Sequence, residues 1–279
     1  MSKLWISFSG GKTSAYMAKR ISEEYPEYKK VVVFANTGQE HEETLKFVQM
    51  CTERWGWNTV WVEAVVDPEN GKGTKHKVVN FETASRNGEP FEAVMAKYGI
   101  SNQAYPHCTR ELKLQPMLSY IRSLGWKKGD YEVAIGIRGD EQRRCDKKAE
   151  EKGIVYPLID WFDYPLDKVD VNDFWEDQDF TLNLEEYQGN CKWCWKKSFK
   201  KHYQLIQESP EIYDFPRKME GLYGTVKCPI QGTDRVFFRG NNSTTNLFKM
   251  AGEFYNGQTL ELDLDADGGC SESCEVVIE

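Results

Sequence analysis

The chain has no apolar run approaching the roughly 18 residues a membrane-crossing helix needs, so no membrane partner is expected. Its beginning, Met1-Ser2-Lys3-Leu4-Trp5-Ile6-Ser7-Phe8, turns polar too soon for a secretory leader, and a cytoplasmic location is the expectation. An excess of positive charge is also missing. Lys and Arg number 36 against 44 Asp and Glu, a net charge of -8, which leaves no general electrostatic case for nucleic acid or an anionic membrane. Any such contact has to be local. Internal repeats and low-complexity tracts do not stand out, and a hydrophobic fraction of 40% with 13% aromatics excludes disordered and fibrous classes. With 279 residues and roughly 150 per domain, the chain has room for one large domain or a medium domain with an appendage. Eight cysteines without an export signal do not suggest a disulfide framework, so their spacing carries the information.

What is present begins with an alternation of elements. Apolar and β-branched runs at 4–8, 31–34 and 59–66 read as strands, and the longer periodic stretches 14–24 and 42–55 between them read as helices. This is the pattern of βαβ units on an open, mostly parallel sheet with helices on both faces, an α/β fold. A loop-like span follows at 67–88, then helices at 91–97 and 111–123 and a strand at 131–137. The highly charged stretch 140–152 reads as a solvated helix or loop. Near Asp170 the composition shifts toward aromatics, acids and paired cysteines. The expected division is a nucleotide-binding domain at 1–170 and a smaller Cys-containing region at 171–279, whose alternation of Leu260, Leu262 and Leu264 suggests a final strand.

The first strand runs straight into Ser9-Gly10-Gly11-Lys12-Thr13-Ser14 and then into a helix. Two adjacent glycines let the backbone turn its N–H groups toward an anion, and the helix start presents its unpaired N–H groups to the same point. The hydroxyls of Ser9, Thr13 and Ser14 and the charge of Lys12 complete a phosphate or sulfate site, against the plainer reading of a Gly-Gly turn with a hydroxyl cap. The spacing is not that of a Walker A loop. The next strand ends in Asn36-Thr37-Gly38-Gln39-Glu40, and ligands of open parallel sheets bind at the carboxyl ends of strands.

Taken in order, Ser-Gly-Gly-Lys-Thr-Ser and Asn-Thr-Gly-Gln-Glu resemble the PP-loop superfamily, specifically its phosphoadenosine phosphosulfate (PAPS) reductase branch. His107-Cys108-Thr109-Arg110-Glu111-Leu112-Lys113 is similar to the family's Cys-x-x-x-Lys segment, and Gly136-Ile137-Arg138-Gly139-Asp140-Glu141 to its Gly-x-Arg-x-x-Glu segment. The stretches Tyr156-Pro157-Leu158-Ile159-Asp160-Trp161 and Asp170-Val171-Asn172-Asp173-Phe174-Trp175 extend the likeness to about residue 178. The resemblance implies a fold of the adenine nucleotide alpha-hydrolase type and an adenine nucleotide, ATP or PAPS, held by residues 9–14 with Asn36, Thr37 and Gly38 beside its base or ribose. It also implies that Arg110, Lys113 and Arg138 face the phosphates and that Cys108, with Arg110 and Lys113, belongs to the catalytic set.

The chain departs from the family in two places. Thr13 stands where PP-loops usually carry Asp, which bears on magnesium, and the Glu-Cys-Gly-Leu-His segment holding the reducing cysteine of PAPS reductases is absent. Three functions stay open: a PAPS reductase-like oxidoreductase of sulfur metabolism, an ATP-dependent sulfurtransferase or adenylating enzyme acting on a nucleic acid, and a nucleotide-binding protein without turnover.

Cys191 and Cys194 form a C-x-x-C turn, and Cys270 and Cys274 a second pair, with Cys228 as a further candidate. Four thiolates suit zinc or an iron–sulfur cluster, and a metal joining both pairs would stabilise a small region short of apolar pattern. Buried, unlinked thiols are the plainer reading. Lys192, Lys196, Lys197, Lys200, Lys201 and His202, interleaved with Trp193, Trp195 and Phe199, would be the local patch for a nucleic-acid strand, against a solvated helix face. His41 reads as a helix cap, and His107 either tunes Cys108 or packs. A homo-oligomer is compatible with the sequence.

Overall fold

The computed structural model describes residues 1–189, 191–229 and 232–257. Within them lies one six-stranded sheet, formed by β1 (Lys3–Phe8), β2 (Lys29–Ala35), β3 (Val60–Val65), β4 (Lys75–Val79), β5 (Tyr131–Ala134) and β6 (Ile154–Val155). Its order is β4-β3-β2-β1-β5-β6. Neighbours pair in parallel except β3 and β4, which are antiparallel. The helices are α1 (Lys12–Glu24), α2 (Glu42–Trp55), α3 (Glu89–Tyr98), α4 (Gln115–Ser123), α5 (Ala149–Lys152), α6 (Pro157–Asp160), α7 (Lys168–Glu176), α8 (Phe199–Glu208), α9 (Asp214–Tyr223) and α10 (Thr244–Tyr255).

The pleat of β1 sorts its side chains into two cores. Leu4, Ile6 and Phe8 pack with Ala15 and Met17 of α1 and Leu45 and Phe47 of α2. Trp5, one residue out of phase, packs on the other face with Met117 and Ile121 of α4. The sheet is therefore covered on both sides, as the apolar strand runs imply. Because β2 and β3 lie on one side of β1 and β5 and β6 on the other, the chain reverses its winding between β1 and β5. That reversal opens a crevice at the carboxyl ends of those two strands.

Three segments differ from the expectations. Residues 75–79, inside the expected loop, form the edge strand β4. Its Lys75-His76-Lys77 lacks an apolar face, and Lys77 answers the buried Glu63 directly opposite in β3 at 2.8 Å. The expected helix at 111–123 begins earlier, as a π-helical turn over Cys108–Leu114 that continues into α4. The expected domain boundary near Asp170 falls inside α7, whose Trp175 donates its indole N–H to the Lys12 carbonyl at 3.1 Å and whose Phe174 packs on Tyr16. α7 belongs to the α/β body.

The C-terminal region has an aromatic core of its own. Trp193, Tyr203, Tyr213 and Phe237 are fully buried and pack with Phe91 and Met95 of α3. At about 1.5–3 kcal/mol for each large side chain buried, this core removes the argument that a metal is needed to hold the region together. The expected strand at 260–264, Cys270 and Cys274 lie outside the described residues.

Candidate nucleotide site and a neighbouring thiol pocket

The crevice at the β1/β5 reversal holds a cavity of about 280 Å³, lined by residues 9–14, Thr44, Gly136, Arg138, Glu141 and Lys168, with Val171 and Asn172 of α7 and Leu182, Leu184, Glu185, Glu186 and Gly189 closing it. Gly10 takes a φ of +81° where the chain leaves β1. A β-carbon there would stand 2.8 Å from Thr44 Cγ2 and 3.0 Å from the Phe34 ring, so only glycine lets the loop lie this close to α2. The Ser14 hydroxyl closes the loop by donating to the Gly11 carbonyl at 3.0 Å, accepting from the Ser9 N–H at 3.2 Å and meeting the Ser9 hydroxyl at 2.8 Å. Gly11 caps α1 without a side-chain hydrogen bond, and the first turn of α1 carries no acidic residue. The helix thus opens toward the cavity with donors and a positive dipole end, the electrostatics of an anion site.

Arg138 completes the wall from β5. Its Nε and Nη2 donate to the two Asp140 carboxylate oxygens at 2.9 and 3.0 Å, and Nη1 reaches Thr13 Oγ1 at 3.3 Å. Burial opposes its charge, but the Asp140 hydrogen bonds and the fields of Glu141 and Asp140 outweigh it and raise its pKa. Asp140 in turn is held below the usual carboxylate range, chiefly by its hydrogen bond to Arg138. Glu141, expected on a solvated segment, is buried with Arg138 at 3.4 Å and Arg144 at 2.6 Å. The family resemblance picks out Glu141, but its burial was not legible because the charged run around it suggests solvent.

The β2 loop does different work from that expected. Asn36 is fully buried away from the cavity lining, donating to Glu63 Oε1 at 2.6 Å and to the Ser85 carbonyl at 2.8 Å. Gly38, with φ +80°, lies against the backbone of Gly88. Thr37 turns to a second, smaller pocket of about 10 Å³ that it shares with Phe91, Cys108, Thr109, Lys113, Cys191, Trp193, Cys194 and Trp195. Cys108 and Lys113 arrive here from the π-helical turn, a geometry enriched at functional sites. The pocket thus brings Cys108 to the C-x-x-C, a meeting of residues more than 80 positions apart that spacing alone did not reveal. Arg110, expected beside them, is half exposed and paired with Glu111.

The metal expectation fares differently. Among the described residues no group of three or more His, Cys, Asp or Glu is arranged to hold a metal ion. The six described cysteines form no disulfide with one another. Within the basic, aromatic stretch of 192–202, Trp193 is in the core, Trp195 lines the thiol pocket, and the buried Lys197 donates to the Tyr187 carbonyl at 2.8 Å and to that of Gly189 at 2.5 Å. His41 caps α2 through Nδ1, 3.3 Å from the Glu43 N–H. His107 stacks between Tyr98 and Tyr105 at 5.3 and 6.2 Å, where burial and then Arg235 lower its pKa. A neutral His107 adds no positive charge beside Cys108, so packing is the role the geometry supports.

A family model described as phosphoadenosine phosphosulfate reductase domain matches residues 3–176, from β1 to the end of α7. The chain is also similar to the uncharacterized nin region protein ORF290 of Escherichia phage lambda, 30% identical over 290 residues covering 97% of this chain and 94% of that protein. The second likeness extends through the C-terminal region with its C-x-x-C.

Proposed function

This chain belongs to the phosphoadenosine phosphosulfate reductase domain family, and from that membership we propose that it is an enzyme of sulfur metabolism that binds an adenine nucleotide in the β1/β5 crevice and acts on its sulfur with a cysteine thiol. The observation that carries this reading is the meeting of the uncapped N-terminus of α1 with the buried Arg138 across one cavity. A phosphate bound there receives backbone N–H donors from one side and a fixed guanidinium from the other. Lys12 lines the same cavity, as does Lys168, which is paired there with Glu186 at 2.9 Å.

The nearby thiol pocket favours PAPS as the nucleotide, because a sulfated nucleotide brings an electrophilic sulfur that a cysteine can attack. Cys108 replaces the missing C-terminal reducing cysteine in this reading, with Lys113 beside it in the pocket. Arg110 is the outer cation of the set. No magnesium or further metal is required by the proposal.

The experiment is a product assay. Incubation with PAPS and a dithiol is expected to yield sulfite and adenosine bisphosphate, and Cys108→Ser is expected to abolish it while nucleotide binding by calorimetry persists. AMP and pyrophosphate from ATP, in the presence of a nucleic acid, would instead establish the sulfurtransferase or adenylating reading. Binding without either product would establish a nucleotide-binding protein.

A further inference from the structure

We propose that the groove lined by the end of α4 and the turn into β5 is a second binding site, one that holds the phosphate backbone of a nucleic-acid strand by charge and not by base contacts. The proposal does not rest on the reductase reading and needs no nucleotide in the crevice.

The groove has a volume of about 420 Å³. Arg122 at the end of α4, Lys127 and Lys128 of the turn that follows, and Lys152 before β6 line it, and no acidic residue does. This runs against the composition of a chain whose net charge is -8. Arg122, Lys127 and Lys128 are exposed, and none of the three forms an ion pair among the described residues. Lys152 is held by Asp146 at 2.8 Å. The acid nearest in sequence, Asp130, is engaged elsewhere: it accepts from the Lys127 backbone N–H at 3.2 Å and pairs with Lys3 at 3.5 Å. One arginine and two lysines without carboxylate partners along a single hollow make a local positive field, the kind of surface that gains by displacing counterions from phosphates.

The lining also decides what kind of anion fits. Trp126 borders the groove but is only 3% exposed and packs on Tyr131 with ring centroids 5.8 Å apart, so its ring is not free to stack a base. The cations are exposed or half-exposed and are not drawn by hydrogen bonds onto one point, as the clamp of a single small phosphate requires. A chain of phosphates needs only their spacing. A nucleic-acid strand carries a charge at every residue, which the neighbouring cations of Arg122–Lys128 match, whereas an acidic peptide matches them only where its own sequence is a run of acids.

Position in the fold keeps this site apart from the crevice. Lys3 and Tyr131 pair at the start of β1 and β5, so the groove beside Tyr131 lies at the amino ends of the parallel strands. The crevice lies at their carboxyl ends. The six residues of β1 put roughly 17 Å between the two at the rise of a parallel strand, so strand and nucleotide are bound without competing. A second hollow adjoins the groove, sharing Lys128 and Lys152 with it and lined further by Asp130, Glu132, Glu150 and Glu151. Those carboxylates repel phosphate and confine the strand to the α4 side.

The test is fluorescence anisotropy of a labelled, mixed-sequence single-stranded oligonucleotide of about 20 residues, titrated with the full chain from about 50 mM salt upward. It needs no nucleotide, so its failure leaves the crevice reading standing. Binding is expected, with log affinity falling against log salt at a slope of about -2 to -3, as for three or four phosphate contacts on a single strand. The triple variant Arg122→Glu, Lys127→Glu, Lys128→Glu is expected to lose at least about tenfold in affinity. A control with the same change of charge at exposed positions outside the groove, Lys75→Glu, Lys218→Glu, Lys249→Glu, is expected to lose less than about threefold, because distant charges are screened. Absence of binding by wild type, an affinity that salt does not change, or equal losses in the two variants would overturn the proposal. So would displacement of the oligonucleotide by poly-glutamate at matched charge, which would assign the groove to an acidic protein surface. Circular dichroism checks that the variants fold; if the charge reversal does not, Arg122→Gln, Lys127→Gln, Lys128→Gln carries the same test, with an expected loss of at least about threefold.

Discussion

Arg138 Nη1 stands 3.3 Å from Thr13 Oγ1, joining the segment after β5 to the first turn of α1. The contact spans 125 positions of sequence and closes the crevice where the winding of the sheet reverses. Arg138→Lys keeps the charge but cannot hold Asp140 with two parallel bonds and reach Thr13 with a third donor. Nucleotide affinity is expected to fall by about 1.5 kcal/mol, roughly tenfold, as for loss of one hydrogen bond to a charged group. Isothermal calorimetry of the two proteins measures it, and equal affinities would remove Arg138 from the phosphate site.

The two loop glycines are expected to behave differently. Gly10→Ala forces a side chain onto a φ of +81° and against Thr44 and Phe34, whereas the nearest atom to a β-carbon at Gly11 is Ser9 Oγ at 3.7 Å. The first change is expected to cost about 1–3 kcal/mol of stability and to weaken nucleotide binding. Gly11→Ala should leave the fold intact. Paired thermal denaturation curves distinguish them.

Magnesium is expected to matter little for binding. Thr13 brings a hydroxyl to Arg138 where a carboxylate is usual in PP-loops, so the loop offers a divalent ion no anionic group. Calorimetric titrations with magnesium and with a chelator should give similar affinities in wild type. Thr13→Asp is expected to introduce a dependence. Binding by wild type that is lost on chelation would contradict this role for Thr13.

Stability is expected to rise with pH through the range below about 6.5, the ordinary histidine value. His202 is fully buried with Nδ1 2.7 Å from the Tyr213 hydroxyl. Burial, then the charges of Lys197 and Arg239, hold its pKa well below that value. Between the folded and unfolded pKa values the unfolded chain binds the extra proton, so this contribution is present above the unfolded pKa and lost as pH falls toward the folded one. Glu63 adds to the loss at lower pH: burial opposes its charge, but hydrogen bonds from Lys77, Ser85 and Asn36 prevail and lower its pKa. Urea unfolding of wild type and His202→Gln across this range should show a shallower pH slope in the variant.

The alternation of strands and helices was legible from residue types because pleat and helix periods are local properties. The periodicity of 4–8, 14–24, 31–34 and 42–55 marked β1, α1, β2 and α2, and the glycine pair marked the loop between the first two. β4 was not legible, since a polar edge strand lacks an apolar face and is defined by its partner β3. The buried Glu141 and Asn36 were misread for a related reason. Charged or polar neighbours suggest solvent or ligand, and only the positions of Arg144, Arg138, Glu63 and Ser85 show that these side chains are satisfied inside the protein.

The sequence by itself determined the α/β class, the glycine loop after β1 and the candidate site residues, because glycine freedom, donor groups and thiols are properties of residues and short segments. Tertiary structure decided which of them meet. Arg138 faces Thr13 because β5 lies beside β1, and Cys108 shares a pocket with Cys191 and Cys194 because the aromatic core of the C-terminal region packs on α3 and carries the C-x-x-C to the π-helical turn. Burial of Trp193, Tyr203, Tyr213 and Phe237 drives that packing without regard to sequence separation, so the partner of each thiol is set by the folded core and not by the spacing of the cysteines.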